Sequence, residues 1–428
     1  MVKRVLLTFA LVCSGIANLS FTLIGQSSWP QFRGPSGQGV FEADKLPISW
    51  SEDEGVRWKI PIHGRGWSSP VAADGKIWLS TATEDGKNLS GLCVDAESGE
   101  VLWDEVLFTV SEPQFAHKFN SYASPTPVID GKRVYITFGS EGTACLDAES
   151  REVLWTREDI ECNHFRGAGS SPIIHGGLLI MNFDGSDHQF VLALDKMNGK
   201  TVWQSKRSID FQDLNEEGSP DRDGDWRKAF STPHIAKFDE RPVLLSIGSM
   251  GLYGYEPLNG REIWRVESRV GHSAGTRPTV ANGRIVYCTG FSKGELWCVR
   301  PGGKGVVSDS HVQWKMKRSV SNKPSLVYSE NSVFMIHDGG VASCVDLESG
   351  KPVWQERVGG NYSASPVLNH GKIYFFSEEG KTTIINASRQ FKIEAVSHLK
   401  DGFMASPAVV GSSLVLRTKS SLYRIDGN

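Results

Sequence analysis

The sequence predicts an all-β fold, an eight-bladed β-propeller of four-stranded antiparallel blades. Three observations predict it: a strand-opening proline recurs eight times, a tryptophan follows an Asp-x-x-x-Gly turn in most repeats, and a spare tryptophan strand precedes the first repeat. The proline pairs are Ser69-Pro70, Ser124-Pro125, Ser171-Pro172, Thr232-Pro233, Arg277-Pro278, Lys323-Pro324, Ser365-Pro366 and Ser406-Pro407, 41 to 61 residues apart. The turn stands clearly at Asp95 to Gly99 before Trp103, Asp195 to Gly199 before Trp203, and Asp346 to Gly350 before Trp354. Asp147 with Trp155 lacks the glycine, Trp264 follows Asn259-Gly260, and Trp314 ends a looser copy.

Each repeat divides into four short runs. In the first they are Ser69–Ala73, Lys76–Ala82, Leu92–Asp95 and Val101–Val106, with Asp74-Gly75 and Ser98-Gly99 as turns. No helical periodicity appears, which excludes helical and horseshoe repeats. The last repeat ends at Ile425-Asp426-Gly427-Asn428 without an outer tryptophan strand, and Val56-Arg57-Trp58-Lys59-Ile60 is the strand left over. The N-terminal strand is therefore expected to close the last blade, leaving no open edge. The seventh repeat keeps a strand at Arg389–Ala395 but has no tryptophan.

Composition fits a turn-rich β protein: 428 residues, 45 glycines and 39% hydrophobic residues. A net charge of −3 gives no general attraction to nucleic acid. Lys3 and Arg4, then the apolar run Val5–Val12, read as an export signal over residues 1–26, with an uncleaved anchor as the alternative. Residues 27–428 read as one propeller domain in the periplasm or cell envelope, expected to be a monomer. Besides Cys13 there are six cysteines. Cys93, Cys145, Cys298 and Cys344 share one place in the repeat, where another copy has Ala193, so the place reads as a slot for a small buried side chain, not a disulfide framework.

The Ala/Val-x-Asp-x-x-x-Gly-x-x-x-Trp pattern resembles the repeat of the quinoprotein (PQQ-like) propellers, over roughly residues 29–428. Trp29-Pro30-Gln31-Phe32-Arg33-Gly34-Pro35 is similar to the opening segment of an exported, planctomycete-type subgroup. Two better-known relatives share the repeat. One is the quinoprotein dehydrogenases, and the other is the BamB-type outer-membrane assembly scaffold, which has no catalysis. The first implies PQQ stacked over calcium, a carboxylate base and, in alcohol dehydrogenases, two adjacent cysteines. This chain has no Cys-Cys pair and no Cys-x-x-Cys-His. No catalytic residue and no cofactor are expected, with PQQ and calcium as the alternative.

No metal is expected either. Asp221-Arg222-Asp223-Gly224-Asp225 has alternating oxygens, but an EF-hand glutamate is replaced by Thr232, so it reads as a solvated loop. Asp184-Gly185-Ser186-Asp187 reads as a turn between strands, and the histidines lack zinc-enzyme spacing. Serines before prolines read as structural. The long connections, Asp104–Tyr122, Thr156–Gly169, Gln204–Phe230 and Arg265–Thr276, run from outer to inner strands and share one face. Binding groups are expected there. The predicted rim comprises Arg65, His117, Lys118, Asn120, His164, Arg166, Arg227, Lys228, His272, Arg277, Asn361 and Tyr362, with Asn322 and Lys323 beside them. Such a rim suits a peptide strand, an anionic small molecule or an acidic glycan; solvated side chains paired with loop acids are the competing reading, and His164 also reads as a loop hydrogen-bonder. Most tryptophans belong to blade packing. Only Trp29, Trp67 and Trp226 fall outside that register and could be exposed. The expected function is a non-enzymatic binding or assembly scaffold. The alternatives are a PQQ- and calcium-dependent oxidoreductase of sugars or alcohols and a carbohydrate-binding propeller.

Overall fold

The structure is a computed structural model that describes residues 28–43 and 45–427; the expected signal segment and Cys13 lie outside the described residues. Eight antiparallel sheets follow one another round a ring. Blade 1 comprises Val71–Ala73, Lys76–Ala82, Asn88–Asp95 and Val101–Thr109. Blade 8 comprises Ala408–Val410, Ser413–Arg417 and Ser421–Ile425, and Val56–Pro61 completes it from the other end of the chain. In that pairing Trp58 faces Arg424 and Ile60 faces Leu422, so the expected closure is met. Val40–Phe41 adds a short parallel strand inside blade 7, and Gly305–Val306 adds one outside blade 4.

The tryptophan repeat has two physical reasons. Within a blade, the outer-strand tryptophan lies directly across from the small slot: Trp103 faces Cys93, Trp155 faces Cys145, Trp203 faces Ala193, Trp314 faces Cys298 and Trp354 faces Cys344. A register shift follows each of these pairs, and it marks the bulge that bends the outer strand. Between blades, the indole N–H crosses to the turn of the next blade. Trp58 donates to the Ala96 carbonyl (3.2 Å), Trp155 to Lys196 (3.2 Å), Trp203 to Pro257 (3.1 Å) and Trp314 to Leu347 (2.8 Å). The ring of Trp314 then lies on Gly350, where an added Cβ would sit 2.3 Å from it and where φ is +67°. Both facts demand glycine at that turn. All six described cysteines are buried and free.

The axis is closed by hydroxyls. The backbone N–H of Ser69 donates to Thr126 Oγ1 (3.0 Å), that of Thr126 to Ser171 Oγ (2.9 Å), and that of Ser171 to Thr232 Oγ1 (3.0 Å). The series resumes from Arg277 to Ser325 (2.9 Å), Ser325 to Ser365 (3.0 Å), Ser365 to Ser406 (2.8 Å), and Ser406 back to Ser69 (3.1 Å). Every link joins neighbouring blades. Only blade 5 offers no hydroxyl, because Arg277 occupies its place. The ring corrects two of the proline anchors. In blade 2 the equivalent pair is Thr126-Pro127, not Ser124-Pro125, because Val128 opens the strand. In blade 6 it is Ser325-Leu326, not Lys323-Pro324, because Val327 opens the strand. The hydroxyl, not the proline, is what the geometry requires.

The opening segment seals the axis from the face of short turns. Trp29 exchanges backbone hydrogen bonds with Ala72 of blade 1, Pro30 accepts from Ile129 of blade 2, and Gly39 accepts from Leu368 of blade 7. Arg33 donates to the Leu326 carbonyl of blade 6 (2.5 Å), and Gln38 Oε1 accepts from Val280 of blade 5 (2.9 Å). Trp29 is fully buried, so the expectation that it could be exposed is corrected.

Removing one ring hydroxyl leaves a buried amide without its acceptor, a loss of about 1–3 kcal/mol. Ser365→Ala is expected to lower the urea midpoint accordingly. An unchanged midpoint would contradict the role given to the ring.

Candidate functional site

Strand direction alternates within each blade. Outer-to-inner connections therefore emerge on the same face as the turns between second and third strands. On that face the ring hydroxyls of Ser69, Thr126, Ser171, Thr232, Ser365 and Ser406 line a cavity of about 800 Å³. Phe32 of the opening segment also lines it, so the cavity is a cup and not a passage.

One wall of the cup is aromatic. Trp226 stacks on His272 with centroids 5.7 Å apart and planes 10° apart, and Phe291 meets His272 edge-on at 5.8 Å. Arg222 lies over Trp226 at 5.2 Å. Arg222 and Asp223 have φ of 52° and 54°, a left-handed turn uncommon for non-glycine residues. Phe119 projects from another loop with Lys118 and Lys323 over its ring. Phe119, Phe291 and Trp226 are 60%, 59% and 38% exposed, an apolar patch of the kind that marks interaction surfaces.

The charged groups are only partly neutralised. Asp225 contacts Lys228 and lies 3.5 Å from Arg166. Lys323 pairs with Glu378 at 3.0 Å, and Asp338 accepts from the backbone N–H of Asn322 (2.9 Å). Burial, and then Lys228, Arg166 and Arg222, push His272 down to about 4. Burial and the Arg166 charge push the Lys228 ammonium down to about 7, against the contacting Asp225 carboxylate. Burial and the neighbouring cations also lower His117. Both histidines are thus neutral rings at neutral pH, and the guanidiniums carry the positive field.

Of the predicted rim, His117, Asn120, Arg166, Lys228 and His272 line the cup, together with Asn322 and Lys323. Arg65 and Lys118 line an adjoining hollow that shares Trp67, Phe119 and Met404 with it. The other five are placed elsewhere. His164 is buried, and its Nε2 accepts from the Ser140 amide (3.0 Å). Arg227 is held by Asp213 (2.9 and 2.5 Å). Tyr362 is fully buried with its hydroxyl on the Gly359 carbonyl, and Asn361 binds Glu379 (2.8 Å). Arg277 springs from the hydroxyl ring itself and turns toward the opening segment, where it donates to the Phe32 carbonyl (2.7 Å). Sequence reasoning missed Phe119, Arg222, Phe291, Ser292 and Asp338. The signal for the last three was the alternation of turns, which brings every second hairpin to the loop-rich face.

Among the described residues no three His, Cys, Asp or Glu side chains converge as a metal site, and Asp221 to Asp225 forms a turn. The cup's carboxylates, Asp225 and Asp338, are committed to Lys228, Arg166 and the Asn322 amide. No cysteine lines the cup. These residues do not fit the carboxylate cradle for calcium that the quinoprotein resemblance implies, nor the adjacent cysteines that it implies for alcohol dehydrogenases.

Residues 187–428 match the family model described as outer membrane protein assembly factor BamB. Over 266 residues the chain is 22% identical to outer membrane protein assembly factor BamB of Nitrosomonas eutropha, covering 59% of this chain and 55% of that protein. The chain thus spans about half the length of the curated relative it matches. BamB from Moraxella catarrhalis superposes with a TM-score of 0.57 at 14% identity, covering 86% of this chain and 98% of that one. A europium-containing methanol dehydrogenase gives 0.63 at 10% identity, covering 92% and 88%. Quinohemoprotein alcohol dehydrogenase ADHIIG from Pseudomonas putida HK5 gives 0.63 at 10% identity, covering 94% and 81%. At these identities the likeness to solved structures is one of fold.

His272 is expected to titrate near 4 by NMR, below its ordinary 6.5, and to move upward in Lys228→Met. Because the folded value is depressed, the stability it contributes is intact above 6.5 and lost as pH falls toward 4. A midpoint near 6.5 would contradict the cup's electrostatics.

Proposed function

The chain belongs to the family described as outer membrane protein assembly factor BamB, and from that premise we propose that it is a non-enzymatic binding scaffold of the cell envelope. Its cup receives a protein segment. The observation that carries this reading is the aromatic patch of Phe119, Trp226 and Phe291 set beside Arg166 and Arg222 over a closed floor. Aromatic and arginine side chains supply most of the affinity in protein interfaces, because they bury large rigid surfaces and bind several acceptors at once. The hydroxyls of the floor and the amide of Asn120 offer hydrogen bonds to an extended backbone. Arg166, Arg222, Lys228 and Lys323 outnumber the two carboxylates of the cup, Asp225 and Asp338, which favours an acidic segment. An anionic small molecule or acidic glycan would use the same cations but would leave the exposed ring of Phe119 without a task.

Photo-crosslinking in the native host tests this. Benzoylphenylalanine at Phe119 or Phe291 is expected to capture a discrete protein partner. The same group at Met197, exposed on the face of short turns, is expected to capture none. Equal capture from both faces, or capture only from Met197, would contradict the reading.

A further inference from the structure

Beneath the hydroxyl ring, away from the cup's walls, lie two guanidiniums that the binding reading does not use. Arg33 and Arg277 are each only 2% exposed. Arg277 is satisfied by neutral oxygens: the Pro233 carbonyl (3.1 Å), the Phe32 carbonyl (2.7 Å) and Gln31 Oε1 (3.3 Å). Arg33 spends one nitrogen, Nη2, on the Leu326 and Gln38 carbonyls. Its Nε and Nη1 are buried and have no hydrogen-bond partner. The two heads flank Gln38. An added Cβ at Gly37 would meet Arg277 at 2.4 Å, and one at Gly39 would meet Arg33 at 2.6 Å. His234, the third basic group here, is buried and bonds Gln38 Nε2 (3.2 Å). Burial and the two arginines push that histidine well below its ordinary value, so it stays neutral.

Among the described residues no carboxylate offsets either arginine. Burial lowers both to about 9, and the charge of Arg277 adds to the effect at Arg33. Both remain cationic at neutral pH. Two buried like charges without a counter-charge are strongly unfavourable, and guanidinium does not escape by losing its proton under these conditions. The opening segment nevertheless brings Arg33 beside Arg277 of blade 5 and leaves Nε and Nη1 of Arg33 open. We infer that a small inorganic anion binds at Arg33 beside Arg277, under the gap in the hydroxyl ring, and fastens the opening segment to the propeller. The anion supplies the missing acceptor for Arg33 and the missing negative charge for the pair.

Thermal unfolding of the full exported protein tests the site. The probe is chloride, exchanged against gluconate at constant ionic strength, with a sulfate arm to tell a halide from an oxyanion. A ligand of the folded state raises the melting temperature by mass action, here by roughly 3 °C or more between 1 and 150 mM for millimolar binding. Arg277→Ser removes one charge and also gives blade 5 the hydroxyl that its ring position lacks, so it is expected to fold. It should flatten the anion response, as should Arg33→Met. A bromide-soaked crystal should show an anomalous peak within hydrogen-bond distance of Arg33 Nε or Nη1, and this measurement needs no variant. A wild-type melting temperature indifferent to chloride and sulfate would overturn the inference. So would an equal response in wild type and Arg277→Ser, or a bromide-soaked crystal without the peak.

Discussion

A backbone amide that can find its acceptor only on the next blade is the interaction on which the rest of this molecule depends. Ser69, Thr126, Ser171, Ser325, Ser365 and Ser406 each receive such a bond and pass one on. Thr232 receives one from Ser171, and Arg277 starts the series again. Because the links run round the axis from Arg277 to Thr232, moving one inner strand disturbs the acceptor of its neighbour. The tryptophans do the same work at the outer edge, joining one blade's last strand to the next blade's turn. The strand Val56–Pro61 converts these local contacts into closure by tying the two ends of the described chain into one sheet. Between the inner and outer fastenings, the core divides into packets shared by adjacent blades, such as Val71 and Trp78 with Ile129 and Val134.

This closure produces the difference between the two faces. The hydroxyl ring and Phe32 make a rigid floor, so whatever binds from the loop-rich face meets a dead end. The loops above are tied to one another across blades, as where Asn120 donates to the Arg166, Gly167 and Ala168 carbonyls. They place exposed aromatics next to guanidiniums, with Asp225 shared between Lys228 and Arg166 and Asp221 3.8 Å from Arg222. On the opposite face the Asp-x-x-x-Gly turns are occupied by tryptophans of the preceding blade, which leaves them little freedom to acquire binding groups.

The architecture was legible because its requirements are written as residue types at fixed intervals. A small side chain faces most outer tryptophans, and glycine lies under the next ring at Gly99, Gly199, Gly260 and Gly350. The inner ring was harder to place. Ser124-Pro125-Thr126-Pro127 contains two hydroxyl–proline pairs, and nothing in the letters says which hydroxyl meets Ser69. Ser325 has no proline after it at all. The cup was read in part. Residues on long loops, such as His117, Arg166 and Lys228, lie where loop position implies. Arg277 and Tyr362 do not, because near the strand openings a shift of one residue decides between cavity and core. Trp29 to Pro35 served as a mark of family resemblance, while its structural task, contact with successive blades across the axis, depends on distances that no local pattern encodes.

The central claim is that partners engage the cup and not the opposite face. The most direct measurement places single aspartates at Phe119, Trp226 and Phe291, and at the exposed Met197 and Leu258 of the short-turn face, in the native host at equal protein levels. Envelope integrity under detergent or antibiotic stress is then scored. The account predicts loss of function from each cup substitution and none from the other two. Normal growth of the three cup variants, or defects from Met197→Asp and Leu258→Asp alone, would contradict it.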